Sequence, residues 1–130
     1  MSEPLRVVIL ENQKGFATLV QTILESEPGG PTVAGVFRNG RFDPKHLAAL
    51  APDVVIVEAH GCRPLDLRWR SALPLDYHVP VLVCTPCVLL TPPSRENVGM
   101  LVMPFTVDEL FNALAQLAEP MAAVAHPIGW

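Results

Sequence analysis

The chain contains no apolar stretch long enough to cross a membrane, although 50% of its 130 residues are hydrophobic. A transmembrane helix needs about 20 consecutive apolar residues, and no run in this sequence reaches that length. The first residues, MSEPLR, also lack the basic start and apolar run that are typical of a secretory signal peptide. We therefore expect a cytoplasmic protein that does not insert into a membrane.

Basic residues and cysteines are scarce as well. The 9 Lys and Arg residues are outnumbered by 13 Asp and Glu residues, which gives a net charge of −4. A chain of this charge without a basic stripe is a poor nucleic-acid binder, so we expect no direct contact with DNA or RNA. The 3 cysteines are an odd number, which argues against a framework of disulfide bonds.

Strand patterns and helix patterns alternate along the whole chain. Continuous apolar runs, typical of strands buried on both faces, are RVVIL, DVVIV, PVLVC and MLVM, and residues 32–37 add a further strand. Apolar residues at helical spacing predict an amphipathic helix over 16–24. The alternation predicts an α/β fold, a three-layer (βα)5 doubly wound parallel sheet with strand order 2-1-3-4-5.

Capping signals mark the start of two helices. Asp43 is a typical N-cap, and the proline after it suits the first helical position. Thr106 and Glu109 have the spacing of a capping box, which opens the final helix. By contrast, the segment 86–102 contains prolines and little helical periodicity, so we expect a shortened or irregular fourth helix there.

Four strands of the predicted sheet end at the place expected for a phosphate-handling site, although most of the chemistry that such a site requires is missing. The first strand is followed by Glu11 and Asn12, the third ends at Glu58, the fourth ends beside Thr85, and the fifth ends at Met103. The carboxyl ends of parallel strands meet at one edge of the sheet and line the ligand crevice. The sequence therefore predicts that these side chains lie close together.

The order and spacing of these residues resemble the chemotaxis-type, flavodoxin-like receiver domain of response regulators over about residues 4–119. Glu11-Asn12 resembles the acidic pair of that family, Glu58 its phosphoacceptor aspartate, and Thr85 its hydroxyl residue. The resemblance implies that residues 1–130 form a single receiver-like domain. We expect residues 120–130 to be an irregular tail.

Met103-Pro104-Phe105 resembles the Lys-Pro-Phe signature of the same family, and the resemblance implies a cis peptide bond before Pro104. In this chain, however, most of the residues that the family uses for phosphoryl transfer are replaced. Met103 stands in the place of the lysine, and Met100 in the place of the aromatic switch residue. Asn12 replaces one acid that would hold Mg²⁺. Glu58 is one methylene longer than the aspartate acceptor. We therefore expect Mg²⁺ binding to be weak or absent, and we predict no other metal and no cofactor.

Loss of a magnesium ligand and of the lysine removes most of the electrostatic stabilisation on which phosphoryl transfer depends. We therefore interpret the chain as an atypical pseudo-receiver, not an enzyme, that acts in bacterial signal transduction by phosphorylation-independent protein–protein interaction. The resemblance implies that the fifth strand and the final helix form the surface for a protein partner or for a homodimer. No effector domain is apparent in the chain, so its output is expected to pass through a partner or through a part of a longer protein.

Alternative interpretations remain open at the sequence level. The chain could be a degenerate receiver that is still phosphorylated in a two-component phosphorelay. Glu58 could imitate a phosphoryl oxygen toward Thr85, or Glu58, Glu11 and Thr85 could form a hydrogen-bonded polar cap over the sheet. The Cys84-Thr-Pro-Cys87 sequence has C-x-x-C spacing, so a thiol-redox or metal-binding α/β domain is a further alternative, although Cys84 itself is expected to point into the core.

Overall fold

Five parallel strands form one sheet in the computed structural model, which describes residues 4–38, 43–59, 79–86 and 98–125. The strand order β2-β1-β3-β4-β5 is the predicted one, so the fold class is confirmed. The strands are β1 (Arg6–Glu11), β2 (Thr32–Arg38), β3 (Val54–Glu58), β4 (Val81–Thr85) and β5 (Val98–Val102). Within the described residues, no helix is long and apolar enough to span a membrane.

Three helices accompany the sheet in these ranges, and two of them begin at the predicted caps. They are α1 (Phe16–Glu25), α2 (Pro44–Ala49) and α3 (Val107–Ala125). At α2, Asp43 Oδ1 accepts a hydrogen bond from the Lys45 amide at 2.9 Å. At α3, the Glu109 amide donates to Thr106 Oγ1 at 3.1 Å, and the Thr106 amide donates to Glu109 Oε1 at 2.8 Å. Of the segment 86–102, in which a shortened or irregular fourth helix is expected, residues 87–97 lie outside the described residues and 98–102 form β5.

The sheet is buried on both faces, because side chains of β1 alternate between two separate apolar clusters. Val7 and Ile9 pack with α1 and α3, whereas Val8 and Leu10 pack with Leu47 of α2. This arrangement gives the three layers, helix, sheet and helix, that the continuous apolarity of the strands predicts. The buried residues that α1 and α3 contribute are Phe16, Ala17, Val20, Leu24, Leu110, Leu114 and Leu117.

The final helix is longer than the sequence predicts. Residues 120–130 are expected to form an irregular tail, but α3 continues to Ala125, so this expectation is wrong for residues 120–125. The helix continues past Pro120, although proline lacks the amide that donates a helical hydrogen bond. The alanine-rich residues after it have high helix propensity, which favours continuation.

Candidate functional site

Three of the predicted site residues lie at the same edge of the sheet, because each ends a parallel strand. Glu11 is the last residue of β1, Glu58 of β3 and Thr85 of β4. Met103 joins this edge directly, since its backbone amide donates to the Thr85 carbonyl oxygen at 2.7 Å. The structure therefore places together the residues that the strand ends predict.

Glu58 is a buried carboxylate that holds the loop after β1. Its side chain is 5% exposed, and Oε1 accepts hydrogen bonds from the backbone amides of Asn12 and Gln13, both at 2.7 Å. Hydrogen bonds from amides to a carboxylate are shorter and stronger than those between neutral groups. The carboxylate of Glu58 thus fixes the position of the segment that leads from β1 into α1.

Glu11 serves the start of α1. The N-cap of this helix is Gly15, which has φ 101° and no side chain that could accept a hydrogen bond. Glu11 Oε1 instead accepts a hydrogen bond from the Ala17 amide at 3.3 Å. A carboxylate near the N-terminal end of a helix interacts favourably with the helix dipole. Both carboxylates at this edge therefore accept hydrogen bonds from backbone amides.

Position 103 presents an apolar side chain to this edge. Met103 is half-buried and packs against the cluster shared by α1 and α3. Its peptide bond to Pro104 is cis, the conformation that the resemblance implies. Met100 is also half-buried, but it packs against the cluster on the opposite face of the sheet. The two methionines therefore extend different apolar layers.

A cavity of about 570 Å³ opens between α1 and the segment that leads into α3. Leu19 and Val107 lie on its lining and remain 56% and 49% exposed. Helical spacing placed Leu19 on the apolar face of α1, but the structure shows that it faces this cavity and not the core. The lining residues are Gln13, Lys14, Gly15, Phe16, Leu19, Ile23, Glu58, Pro86, Met103, Pro104, Phe105 and Val107.

The sequence analysis did not predict this cavity. Its only sequence signal is the combination of Met103 with apolar residues at positions 19 and 107. These positions are far apart along the chain, so their proximity becomes apparent only once the sheet is folded.

Cys84 is fully buried beside Glu58, with which it pairs in register across β3 and β4. Burial, followed by the charge of Glu58, raises the pKa of the Cys84 thiol to about 12. Redox catalysis needs a thiolate with a lowered pKa, so the physical condition for that chemistry is not met at Cys84. Cys87 lies outside the described residues. Among the described residues, no three His, Cys, Asp or Glu side chains are grouped for metal binding.

Comparisons with known proteins relate the chain to receiver domains by structure alone. No protein-family model matches the sequence, and no curated protein matches it. The receiver domain of a modulated diguanylate cyclase from Desulfovibrio desulfuricans G20 superposes with a TM-score of 0.66 and 24% identity, covering 88% of this chain and 94% of that one. The chain has the receiver fold.

Two further receiver-fold structures belong to PhyR proteins. The PhyR response regulator REC domain from Erythrobacter litoralis superposes with a TM-score of 0.67 and 17% identity, covering 89% of this chain and 91% of that one. The anti-anti-sigma factor PhyR from Bartonella quintana gives a TM-score of 0.72 and 17% identity over 95% of this chain. This chain spans only 51% of that longer protein.

Proposed function

We propose that this chain is an atypical receiver domain that acts in signal transduction by binding a protein partner and does not accept a phosphoryl group. The observation that carries the proposal is the burial and hydrogen bonding of Glu58, which stands at the acceptor position. Glu58 is 5% exposed, and Oε1 accepts two hydrogen bonds from backbone amides, both at 2.7 Å. This burial leaves little of the Glu58 carboxylate accessible to a phosphodonor.

The absence of a lysine at position 103 supports the same proposal. Phosphoryl transfer is accelerated chiefly by positioning and by groups that neutralise the charge developing on the phosphoryl oxygens. Met103 lines the cavity beside Glu58 and carries no charge, so it cannot supply that stabilisation. Thr85 retains the hydroxyl of the family but lies fully buried at the end of β4.

The side-chain oxygens that could act as metal ligands at this edge also support weak or absent Mg²⁺ binding. Mg²⁺ prefers near-octahedral coordination by oxygen, with carboxylates as its charged protein ligands. Glu58 and Glu11 each direct Oε1 to backbone amides, and Asn12 is neutral. Binding of Mg²⁺ would therefore compete with the hydrogen bonds that hold the loop after β1 and the start of α1.

Phosphorylation with acetyl phosphate and Mg²⁺, followed by intact mass measurement, tests the proposal. We expect no gain of a phosphoryl group on the wild-type chain. A variant with Asn12→Asp, Glu58→Asp and Met103→Lys restores the residue types of the family and is expected to gain one group. A stable phosphoryl group on wild-type Glu58 would overturn the proposal, and circular dichroism controls for the fold of the variant.

The names of the structural neighbours support a protein partner. The Bartonella quintana neighbour is named an anti-anti-sigma factor, and the Erythrobacter litoralis neighbour is named a response regulator REC domain. We place the partner on β5 and α3, where Val102 is 37% exposed on an edge strand of the sheet. A homodimer could use the same surface.

Substitution of an exposed valine tests this surface. Val102→Glu is expected to weaken homodimerisation in analytical ultracentrifugation, or partner capture from cell extract, while the protein stays folded. Val36→Glu is the matched control, because Val36 is 41% exposed on β2 at the opposite edge of the sheet. Equal effects of the two substitutions would argue against a β5–α3 interface.

A second candidate function is a receiver that still accepts a phosphoryl group, and one observation favours it. Lys14 lines the same cavity as Glu58 and could supply the cation that position 103 lacks. If wild-type protein is phosphorylated, Lys14→Ala should abolish the reaction. Phosphorylation that persists in Lys14→Ala would require a different source of charge stabilisation.

A further inference from the structure

We infer that the cavity between α1 and the start of α3 binds an elongated amphipathic anion, an apolar chain that ends in a carboxylate. This binding goes beyond the proposed function and does not depend on it, since neither a protein partner nor phosphorylation is required. The inference rests on the size of the cavity, the apolar wall that α1 supplies, and the charge at one end.

The cavity has the dimensions of a small-molecule site. Its volume of about 570 Å³ lies within the range of roughly 300–1,000 Å³ that is usual for ligand pockets. Phe16, Leu19 and Ile23 line it from one side of α1, three and four residues apart, so they form a single stripe along the helix. Seven residues of α-helix rise by about 10 Å, which makes this wall longer than a single ring or a simple ion.

Two large apolar side chains at the rim of the cavity are exposed to solvent. Leu19 is 56% exposed and Val107 is 49% exposed, and both line the same cavity from different elements. Single exposed apolar side chains are common, but neighbouring ones around a concave site are typical of ligand-binding surfaces. An apolar chain lying between α1 and residues 103–107 would remove both from water.

The accessible charge at the cavity is positive. Lys14 is exposed at the N-terminal end of α1, and no hydrogen bond or ion pair joins it to another residue that the structure describes. Glu58 also lines the cavity, but it is 5% exposed and its Oε1 accepts the amides of Asn12 and Gln13. A carboxylate at the rim would therefore meet the ammonium group of Lys14, with its apolar chain extending past Leu19 toward Ile23.

Met103 connects this inference to the altered acceptor site. A lysine at that position would introduce a second charge into the wall beside Glu58, whereas methionine is flexible, polarizable and apolar. The same residue that removes charge stabilisation from phosphoryl transfer thus makes the wall suitable for an apolar chain.

Binding of straight-chain carboxylates to the full chain tests the inference. Hexanoate, octanoate and decanoate, kept below their micelle concentrations, are titrated by calorimetry and by amide NMR shifts. We expect affinity to rise about fourfold for each methylene, with shifts confined to residues 14–23 and 103–107. Octylamine should bind more weakly than octanoate. Equal binding of the two, shifts centred elsewhere, or no binding by any carboxylate would overturn the inference.

Two variants separate the apolar contribution from the charge. Leu19→Gln should weaken octanoate binding about tenfold, because it places a polar group on the wall. Lys14→Gln should weaken octanoate about threefold and leave octanol unchanged, as expected for an exposed ion pair. The matched controls, Val36→Gln on β2 and Lys45→Gln on α2, should change neither affinity. Unchanged octanoate binding in both cavity variants would also overturn the inference.

Discussion

The edge of the sheet that carries the candidate site has two sides of different chemistry. The carboxylate side comprises Glu11, Glu58 and Thr85 at the ends of β1, β3 and β4, and the methionine side comprises residues 103–107 with Leu19. On the carboxylate side, both acids accept hydrogen bonds from backbone amides that position α1 and the loop before it. On the methionine side, the backbone amide of Met103 donates a hydrogen bond to the Thr85 carbonyl oxygen. Every residue type except proline has this amide, so the bond does not depend on the methionine side chain.

This difference shows which of the side chains at this edge have a role in the fold. Carboxylates at positions 11 and 58 have a structural role that is separate from phosphoryl transfer, because they satisfy backbone donors near a helix start. A lysine at position 103 would have no such role in the contacts that the structure describes. The carboxylates therefore have a structural reason for their positions, whereas no contact that the structure describes requires a charge at position 103.

The largest expected effect is the loss of stability in Glu58→Ala. Removing the carboxylate deprives the Asn12 and Gln13 amides of the acceptor that they share. Because this acceptor is charged and 5% exposed, we expect the free energy of unfolding to fall by about 2–4 kcal/mol, measured by urea denaturation.

Glu25→Ala is the control for that measurement. Glu25 also accepts hydrogen bonds, from Gln21 and from the Val33 amide, but it is exposed. Its replacement should change the free energy of unfolding by no more than about 0.5 kcal/mol. If both substitutions have similar effects, Glu58 is not the organising group of the carboxylate side.

The second prediction concerns the thiol on the carboxylate side. Burial, followed by the charge of Glu58, raises the pKa of Cys84 from 9.0 to about 12 in the folded protein. Between these values the unfolded chain releases a proton that the folded chain keeps, so stability falls as pH rises above 9.0. We expect a loss of about 1.4 kcal/mol one pH unit above the unfolded value.

Urea denaturation at neutral and alkaline pH measures this loss. Other groups titrate in the same range, so the informative quantity is the difference between wild type and Cys84→Ala, which lacks the thiol. A parallel pH dependence in the two proteins would mean that Cys84 ionises as readily in the folded state as in the unfolded state.

Local signals in the sequence predicted much of the fold, because they act over a few residues. The caps at Asp43 and Thr106 lie next to the helices that they start, and strand runs such as 54–58 are continuous. The contacts of Glu58 were not predictable in the same way, since its partners Asn12 and Gln13 lie 46 and 45 residues away. Sequence order placed these residues at one edge but could not specify their hydrogen bonds.

Leu19 shows a second limit on what can be predicted from the sequence. Helical spacing places it on the same apolar face as Val20, yet it is 56% exposed whereas Val20 is fully buried. Periodicity defines an apolar stripe but not which part of that stripe the sheet covers. The cavity arises at the uncovered part, beside residues 103–107, and could be recognised only from the folded chain.

The third prediction concerns the point where the methionine side leads into α3. Thr106→Ala removes the hydroxyl that accepts the Glu109 amide at 3.1 Å, one half of the capping box. We expect the free energy of unfolding to fall by about 1 kcal/mol in urea denaturation.

Thr22→Ala provides a hydroxyl control within a helix, because Thr22 Oγ1 donates to the Thr18 carbonyl of α1 and caps no helix start. Its stability should stay within about 0.5 kcal/mol of wild type. A loss in Thr22→Ala as large as that in Thr106→Ala would indicate that neither effect reports on capping.

The smallest expected effect on stability belongs to Leu19→Gln, on the methionine side. Leu19 is 56% exposed, so replacement by a polar residue of good helix propensity should change the free energy of unfolding by less than about 0.5 kcal/mol. The neighbouring change Val20→Gln places an amide in the core of the same helix, where Val20 is fully buried, and should cost several times more. A large loss in Leu19→Gln would mean that the cavity wall supports the fold. A near-neutral result would leave the exposed apolar surface at this position without a structural reason, and so favour a ligand that covers it.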